Sequence, residues 1–344
     1  VENKELSEEN DRISMKLFGK LAKDIKYLMC TNFVHQQLLD EGLLRTGLYQ
    51  WINAFRGEVK RYRDVEDFNK YDIVQINLSV QDYYLIEVIK RQLKPDSKTL
   101  IVANNDYTVE LWQNSFDFPD RMAKELEQAD MIFGTEIHMS NALELITKRQ
   151  IFTIPHPCFV KRMKTLVPKK KFNSVGVLWH RYDKVTFIPS LAVQDLGMET
   201  WLMGYDHSQD PKKFSTSTLY DKVFQGTNFL EFCEQLLSTD IIYEPFTLTS
   251  HGRATIDTAA LGIPTVGSNR VESVQRCFPF TSIDPWDAKE ANKMLKKLVN
   301  DENFRTKVIS YAREAVEYYN HKNSTTRFLK ALETRSLLLK KQED

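Results

Sequence analysis

Residues 240–269 read DIIYEPFTLTSHGRATIDTAALGIPTVGSN, a strand, a loop, a helix and a second strand in succession. Ile241, Ile242 and Tyr243 are β-branched and aromatic, as a buried strand requires. Glu244 to Ser250 form a polar loop. Thr249 or Ser250 is predicted to N-cap a helix beginning near Gly252, where free backbone N–H groups and the positive end of the helix dipole suit an anion. Ile256, Ala259 and Ala260 are expected on one buried face, and Gly262 with Pro264 just beyond ends the helix. Thr265, Val266 and Gly267 resume a strand. Strand, helix and strand in this order is the βαβ unit of a parallel sheet.

The alternation extends outward from this stretch. Upstream, Ser174–Trp179, Thr200–Met203 and Lys222–Phe224 read as strands. Phe229, Phe232, Cys233, Leu236 and Leu237 recur at the spacing of an amphipathic helix. Downstream, a strand near Phe280–Ile283 precedes helices over Ala288–Asn300 and Phe304–Tyr319, with a last helical segment over 323–340. The first half repeats the pattern. Strands Ile25–Cys30, Asp72–Leu78, Thr99–Ala103, Asp130–Phe133 and Gln150–Ile154 alternate with helical segments at Gly42–Phe55, Asp82–Arg91, Asp120–Gln128 and Ser140–Lys148. Residues 1–22 read as a charged helical segment without chemistry.

Two such series predict an α/β protein with two parallel sheets, in which ligands bind past the carboxyl ends of strands. Asn77, Asn104, Asn105, Asp106, Thr135 and Glu136 end strands of the first half and suit hydroxyl groups. Pro155, His156 and Pro157 interrupt the pattern before a charged connector at Val167–Lys171, where the lysines read as a solvated face and His156 as structural. The expected division is 1–157, 158–322 and a C-terminal helix, 323–344, packing back on the first domain.

Composition narrows the function classes. The 344 residues suffice for two cores, and 47 basic residues balance 47 acidic ones, so no global field favours nucleic acid. Cys30, Cys158, Cys233 and Cys277 match no metal-ligand spacing and read as reduced, packed thiols. No His-rich metal motif occurs, so a metal held by protein ligands has little support. No apolar run is long enough to span a membrane and the N-terminus is not signal-like, which predicts a cytoplasmic chain without a transmembrane segment.

From about residue 25 onward this order of signals resembles the GT-B glycosyltransferases, in particular their retaining, nucleotide-sugar-dependent group. In that group a strand ending in Gly-Arg opens the donor site, with a lysine shortly after; here Val175-Gly176-Val177-Leu178-Trp179-His180-Arg181-Tyr182-Asp183-Lys184 occupies the place. His180 stands where glycine is expected. The group also carries two acids eight positions apart around a small-residue loop. Asp257 falls at the second acid and Gly252 at the loop glycine, whereas Thr249 stands at the first acid. A glycine-rich turn after the first strand is absent. Gly204, in Met203-Gly204-Tyr205, and Gly226, after Gln225, resemble the short turns bordering the nucleotide base.

The resemblance implies two Rossmann-like domains facing across a cleft, the first acceptor-side and the second holding the donor. It implies a metal-independent, hexosyltransferase-like enzyme with no cofactor beyond its nucleotide-sugar substrate. Arg181, Lys184 and His251 would act at the donor diphosphate, where charge grows as the anomeric bond breaks. Gly204, Gly226, Thr249, Ser250, Gly252, Arg253 and Asp257 would bind the donor, Asp257 through the ribose hydroxyls. Asn105 and Asp106 would face the acceptor, whether glycan, lipid-linked, protein or nucleic acid. Three other readings stand beside it: a GT-B scaffold that binds without turnover, motivated by Thr249 and the missing glycine turn; a phage-type transferase acting on modified DNA bases, which requires a basic groove; and a nucleotide-sugar epimerase of the same fold, whose carboxylate and histidine set the sequence does not locate.

Overall fold

The computed structural model describes residues 2–31, 49–77, 84–105, 110, 118–167, 172–178, 187–205, 219–225 and 229–343. The chain forms two compact units, Val1–Cys158 with Tyr319–Asp344, and Phe159–Tyr318.

The first unit is built on six parallel strands, β1 (Tyr27–Thr31), β2 (Glu58–Arg61), β3 (Ile73–Asn77), β4 (Leu100–Asn105), β5 (Met131–Gly134) and β6 (Phe152–Thr153). Their order is β2-β1-β3-β4-β5-β6. The central strands are apolar throughout because both faces are covered. Leu28, Cys30, Val74, Ile76, Ile101, Ala103 and Ile132 point into one core cluster. Tyr27, Met29, Ile73, Val102, Met131 and Phe133 point into the other, where the helix Gln50–Phe55 supplies Trp51 and Phe55 and the C-terminal helix His321–Glu343 supplies Phe328, Leu329 and Leu332. The Trp51 and Phe328 rings lie 5.1 Å apart, and Tyr27 stacks on Phe55 at 4.9 Å. β2 is a strand that alternation of apolar residues does not announce. Glu58, Val59, Lys60 and Arg61 form the sheet edge, where charged side chains are at home and deter further pairing.

The second unit carries β7 (Ser174–Leu178), β8 (Glu199–Tyr205), β9 (Lys222–Gln225), β10 (Ile241–Glu244), β11 (Thr265–Ser268) and β12 (Ser282–Ile283), again all parallel. The order is β12-β11-β10-β7-β8-β9. Both sheets therefore match the expected parallel α/β class.

One device recurs at the amino edge of both sheets: an aspartate immediately before one strand clips the start of its neighbour. Asp72 donates its N–H to the Lys26 carbonyl (2.8 Å) and accepts the Lys26 N–H on Oδ2 (2.7 Å). Asp130 makes the same pair with Ile101, at 2.8 and 2.7 Å. Asp221 does so with Thr200, at 2.9 and 2.8 Å. Asp240 accepts the N–H groups of Asn173 (2.8 Å) and Ser174 (3.1 Å) and the Ser174 hydroxyl (3.0 Å). A one-residue slip of any of these strands would break its clip as well as invert its buried faces.

Candidate functional site

In an open parallel sheet the crevice for ligands lies where the strand order reverses. In the second unit that point falls between β7 and β10, the strand that opens residues 240–269. β10 ends on Glu244, which is buried, and the loop beyond it is packed inward at Phe246 and Thr247. Thr249 and Ser250 are half-buried. Ser250 pairs with the segment ahead of the short helix Glu272–Cys277: its N–H donates to Arg270 O (3.3 Å) and its carbonyl accepts from Glu272 N (2.8 Å).

That pairing corrects the expected N-cap. Ser250 Oγ accepts from Gly252 N (3.1 Å), which closes a turn before the helix, and neither Thr249 nor Ser250 caps the helix itself. The cap position of the helix Arg253–Leu261 is Gly252, at φ 77° and ψ 62°, without a side-chain cap. Gly252 is required there twice over. Its backbone is left-handed, and a Cβ would overlap Val271 Cγ1 and Ser273 Oγ, while Ser273 donates its hydroxyl to Gly252 O at 2.7 Å. As the cap residue, Gly252 has no side chain with which to bond the first-turn N–H groups.

The helix is also buried all round rather than on one face: Ala254 to Leu261 are all buried. Asp257 is therefore no solvent-facing carboxylate. Its Oδ1 accepts from Arg253 Nε at 3.0 Å, one turn earlier, with the Arg253 side chain 13% exposed and that of Asp257 0%. A buried carboxylate needs such a partner, because an uncompensated charge away from water is costly. Arg253 thus holds Asp257, a role the sequence reading did not give it. On the first turn the fully buried Thr255 hydroxyl has no hydrogen-bond partner among the described residues. His251, 6% exposed, places Nδ1 3.9 Å from Glu272 Oε2. Glu272 Oε1 accepts from Arg276 Nε at 2.8 Å, and the Arg276 guanidinium lies 3.6 Å over the Tyr318 ring.

The structure thus gathers Thr249, Ser250, His251, Gly252, Arg253 and Asp257 on one loop and one helix. Gly204 lies near the carboxyl end of β8, separated from β10 by β7, at φ 75° where the register against β9 shifts. Asn105 ends β4 in the first unit and is buried. Arg181, Lys184, Gly226 and Asp106 lie outside the described residues. Sequence reasoning passed over Glu244, taken as the start of a loop, and Glu272 with Arg276, whose i,i+4 spacing was the available signal.

His156 is held in the core of the first unit. Trp51 Nε1 can only donate, so the 2.9 Å bond makes His156 Nδ1 the acceptor and places the ring proton on Nε2. All four cysteines are free and buried. Among the described residues no group of three or more His, Cys, Asp or Glu is placed to hold a metal ion, and no helix is long and apolar enough to cross a membrane.

No family model and no curated protein matches the sequence. Solved structures do match in fold. Anabaena HepE in complex with UDP and glucose superimposes with a TM-score of 0.64 at 12% identity, over 90% of this chain and 100% of that one. Sucrose-phosphate synthase from Thermosynechococcus elongatus gives 0.61 at 14% identity, over 92% and 98%. An α-glucosyltransferase in complex with UDP-glucose and DNA containing an abasic site gives 0.60 at 12%, over 91% and 99%. Two parallel six-stranded α/β units, matched along nearly their whole length by these proteins, make the fold that of the GT-B glycosyltransferases.

Proposed function

We propose that the protein is a glycosyltransferase that moves a hexose from a nucleoside-diphosphate donor to an acceptor hydroxyl, with retention at the anomeric carbon. The observation that carries this is the position of the Gly252-capped helix and its Arg253–Asp257 pair at the switch point of the second sheet, in a chain with the fold of proteins solved with UDP and glucose or with UDP-glucose. The second unit is the donor side and the first the acceptor side.

The reaction breaks the bond from the anomeric carbon to the diphosphate oxygen, so negative charge develops on the leaving group. Fixed N–H donors and cations that meet this charge lower the barrier, each worth about 2.7–4 kcal/mol where an oxyanion is so stabilised. Arg181 and Lys184 are assigned to the diphosphate, with the first-turn N–H groups at Arg253 to Thr255 and the imidazole of His251 beside them. Asp257 is assigned to the ribose hydroxyls; its carboxylate is fully buried, so the donor must displace neighbouring side chains to reach it, and Arg253 holds it in place. Gly204 and Gly226 border the base. Thr249 offers the sugar a hydroxyl, donor and acceptor at once, where relatives by resemblance carry an acid; this makes Thr249 the position that sets donor choice. No metal or other cofactor has a role in this reading.

The test is a panel of UDP-, GDP-, ADP- and TDP-sugars followed by thermal unfolding and by donor consumption. A ligand selective for the folded state stabilises it by about 2.7 kcal/mol at 100 times its Kd. UDP-glucose is expected to raise Tm and to be consumed. A panel in which no nucleotide sugar does either would refute the proposal, and binding without consumption would select the scaffold reading. A second acceptor reading, DNA bases, is favoured by the similar α-glucosyltransferase whose structure holds DNA. It requires duplex binding that weakens steeply with salt; absence of binding at low salt removes it.

A further inference from the structure

The first sheet has its own switch point, between β1 and β3, because β2 lies on one side of β1 and β3 to β6 on the other. The strand ends there are Thr31 and Asn77. A continuous ladder of polar side chains leads to this edge from the middle of an apolar core. The Tyr27 hydroxyl donates to Gln75 Oε1 (2.7 Å), Gln75 Nε2 donates to Asn104 Oδ1 (2.7 Å), and Asn104 Nδ2 donates to Asn77 Oδ1 (2.9 Å). Tyr27 is 1% exposed, and Gln75 and Asn104 are both fully buried. Their neighbours on this face are Met29, Trp51, Ile73 and Val102.

The direction of the ladder is set at its closed end. Among the described residues Gln75 Oε1 is the acceptor for the Tyr27 hydroxyl. Were Gln75 to turn its NH2 toward Tyr27, the hydroxyl proton would be left in the core without an acceptor, which is the costly arrangement for a buried donor. Each amide downstream inherits its orientation from the one before. The result at the open end is that Asn77 uses its oxygen inward and directs its NH2 away from Asn104, at the half-buried carboxyl end of β3. A fully satisfied buried network of this kind contributes little net stability over apolar packing but fixes geometry. What it fixes here is an uncharged pair of N–H donors at the switch point. Such donors suit the neutral oxygens of hydroxyl and ether groups, and among the described residues Arg61, in register with Thr31, is paired with Asp64.

We propose that the carboxyl edge of the first sheet is a binding site for a polyol, read by the side-chain amide of Asn77, with Tyr27, Gln75 and Asn104 as positioning residues. Within the proposed function, which this inference deepens, the polyol is the acceptor and Asn77 helps to orient its hydroxyls.

The test uses the full chain labelled with 15N and methyl α-glucoside as probe. The Asn77 side-chain NH2 signals are those lost in Asn77→Asp, a variant that keeps the oxygen Asn104 needs and removes the outward donors. Titration is expected to shift these signals saturably in the wild type, and the probe is expected not to bind Asn77→Asp. Tyr27→Phe keeps the ring stacked on Phe55 but releases the ladder, and is expected to weaken the probe about 5-fold, the equivalent of one hydrogen bond. Stabilisation by UDP-glucose is expected to be unchanged in both variants. Unmoved Asn77 signals at saturating probe, or equal probe affinity in the wild type and Asn77→Asp, would overturn the proposal, and equal affinity in Tyr27→Phe would overturn the positioning role. Failure of every UDP-, GDP-, ADP- and TDP-sugar to bind while the Asn77 signals still respond would remove the transferase reading and leave the polyol site standing.

Discussion

The two sheets are clipped alike at one edge and built differently at the other. At the amino edge both use an aspartate in front of a strand to fix the neighbour's register, at Asp72 and Asp130 in the first unit and at Asp221 and Asp240 in the second. At the carboxyl edge the first unit brings up an uncharged ladder ending on Asn77. The second brings up a glycine-capped helix whose first turn holds a buried ion pair, with a loop histidine beside Glu272. Register is a requirement common to any parallel sheet, so its solution repeats. Ligand chemistry is not common, and it is at the switch points that neutral donors in one unit diverge from charge in the other.

This contrast can be broken most forcefully at the ion pair. Arg253→Met leaves Asp257 buried without its guanidinium and is expected to cost about 3–5 kcal/mol in urea unfolding, together with donor affinity. A loss below about 1 kcal/mol would mean that the pair is not what sustains the carboxylate. Gly252→Ala imposes a Cβ on a left-handed residue and against Val271 and Ser273; about 2–4 kcal/mol should be lost, with UDP-glucose stabilisation reduced. Unaltered stability would show that the loop has room to move. The shared edge supplies the next comparison. Asp240→Ala removes an acceptor of three hydrogen bonds at a buried site and is expected to cost about 2–3 kcal/mol, whereas Asp72→Ala, at a partly exposed site, should cost about 1 kcal/mol. Equal costs would deny that burial separates the two clips. An effect as small as that of Asp72→Ala is expected from Tyr27→Phe, about 1 kcal/mol in the same assay, because it deletes one neutral hydrogen bond and keeps the packed ring.

Much of the scaffold was legible because its cause is local. Asp-Ile-Val, Asp-Met-Ile and Asp-Ile-Ile each announce a buried strand by their branched residues, and each opens within a residue of the strand it marks. Gly262 and Pro264 end the helix where they were expected to. β2 escaped because a charged edge strand has no apolar alternation to read. The expected N-cap at Thr249 or Ser250 failed for a different reason: Ser250 is drawn into pairing with residues 270–272, a contact across twenty residues that outweighs its local capping preference.

Chain chemistry alone settled the alternation of strands and helices, hence the parallel α/β class, and it settled that the helix of residues 253–261 stops at Gly262 ahead of Pro264. Those outcomes follow from backbone preference and hydrophobic period, which act over a few residues. Strand order, and with it the location of both switch points, came from packing between segments far apart in the chain. So did the burial that turns Arg253 from a solvated cation into the support of Asp257, and the alignment of Tyr27, Gln75, Asn104 and Asn77 from three strands into one ladder. Opposed charges and satisfied donors depend on distances in space, and residues 27, 75 and 104 carry no mark of that distance in their order along the chain.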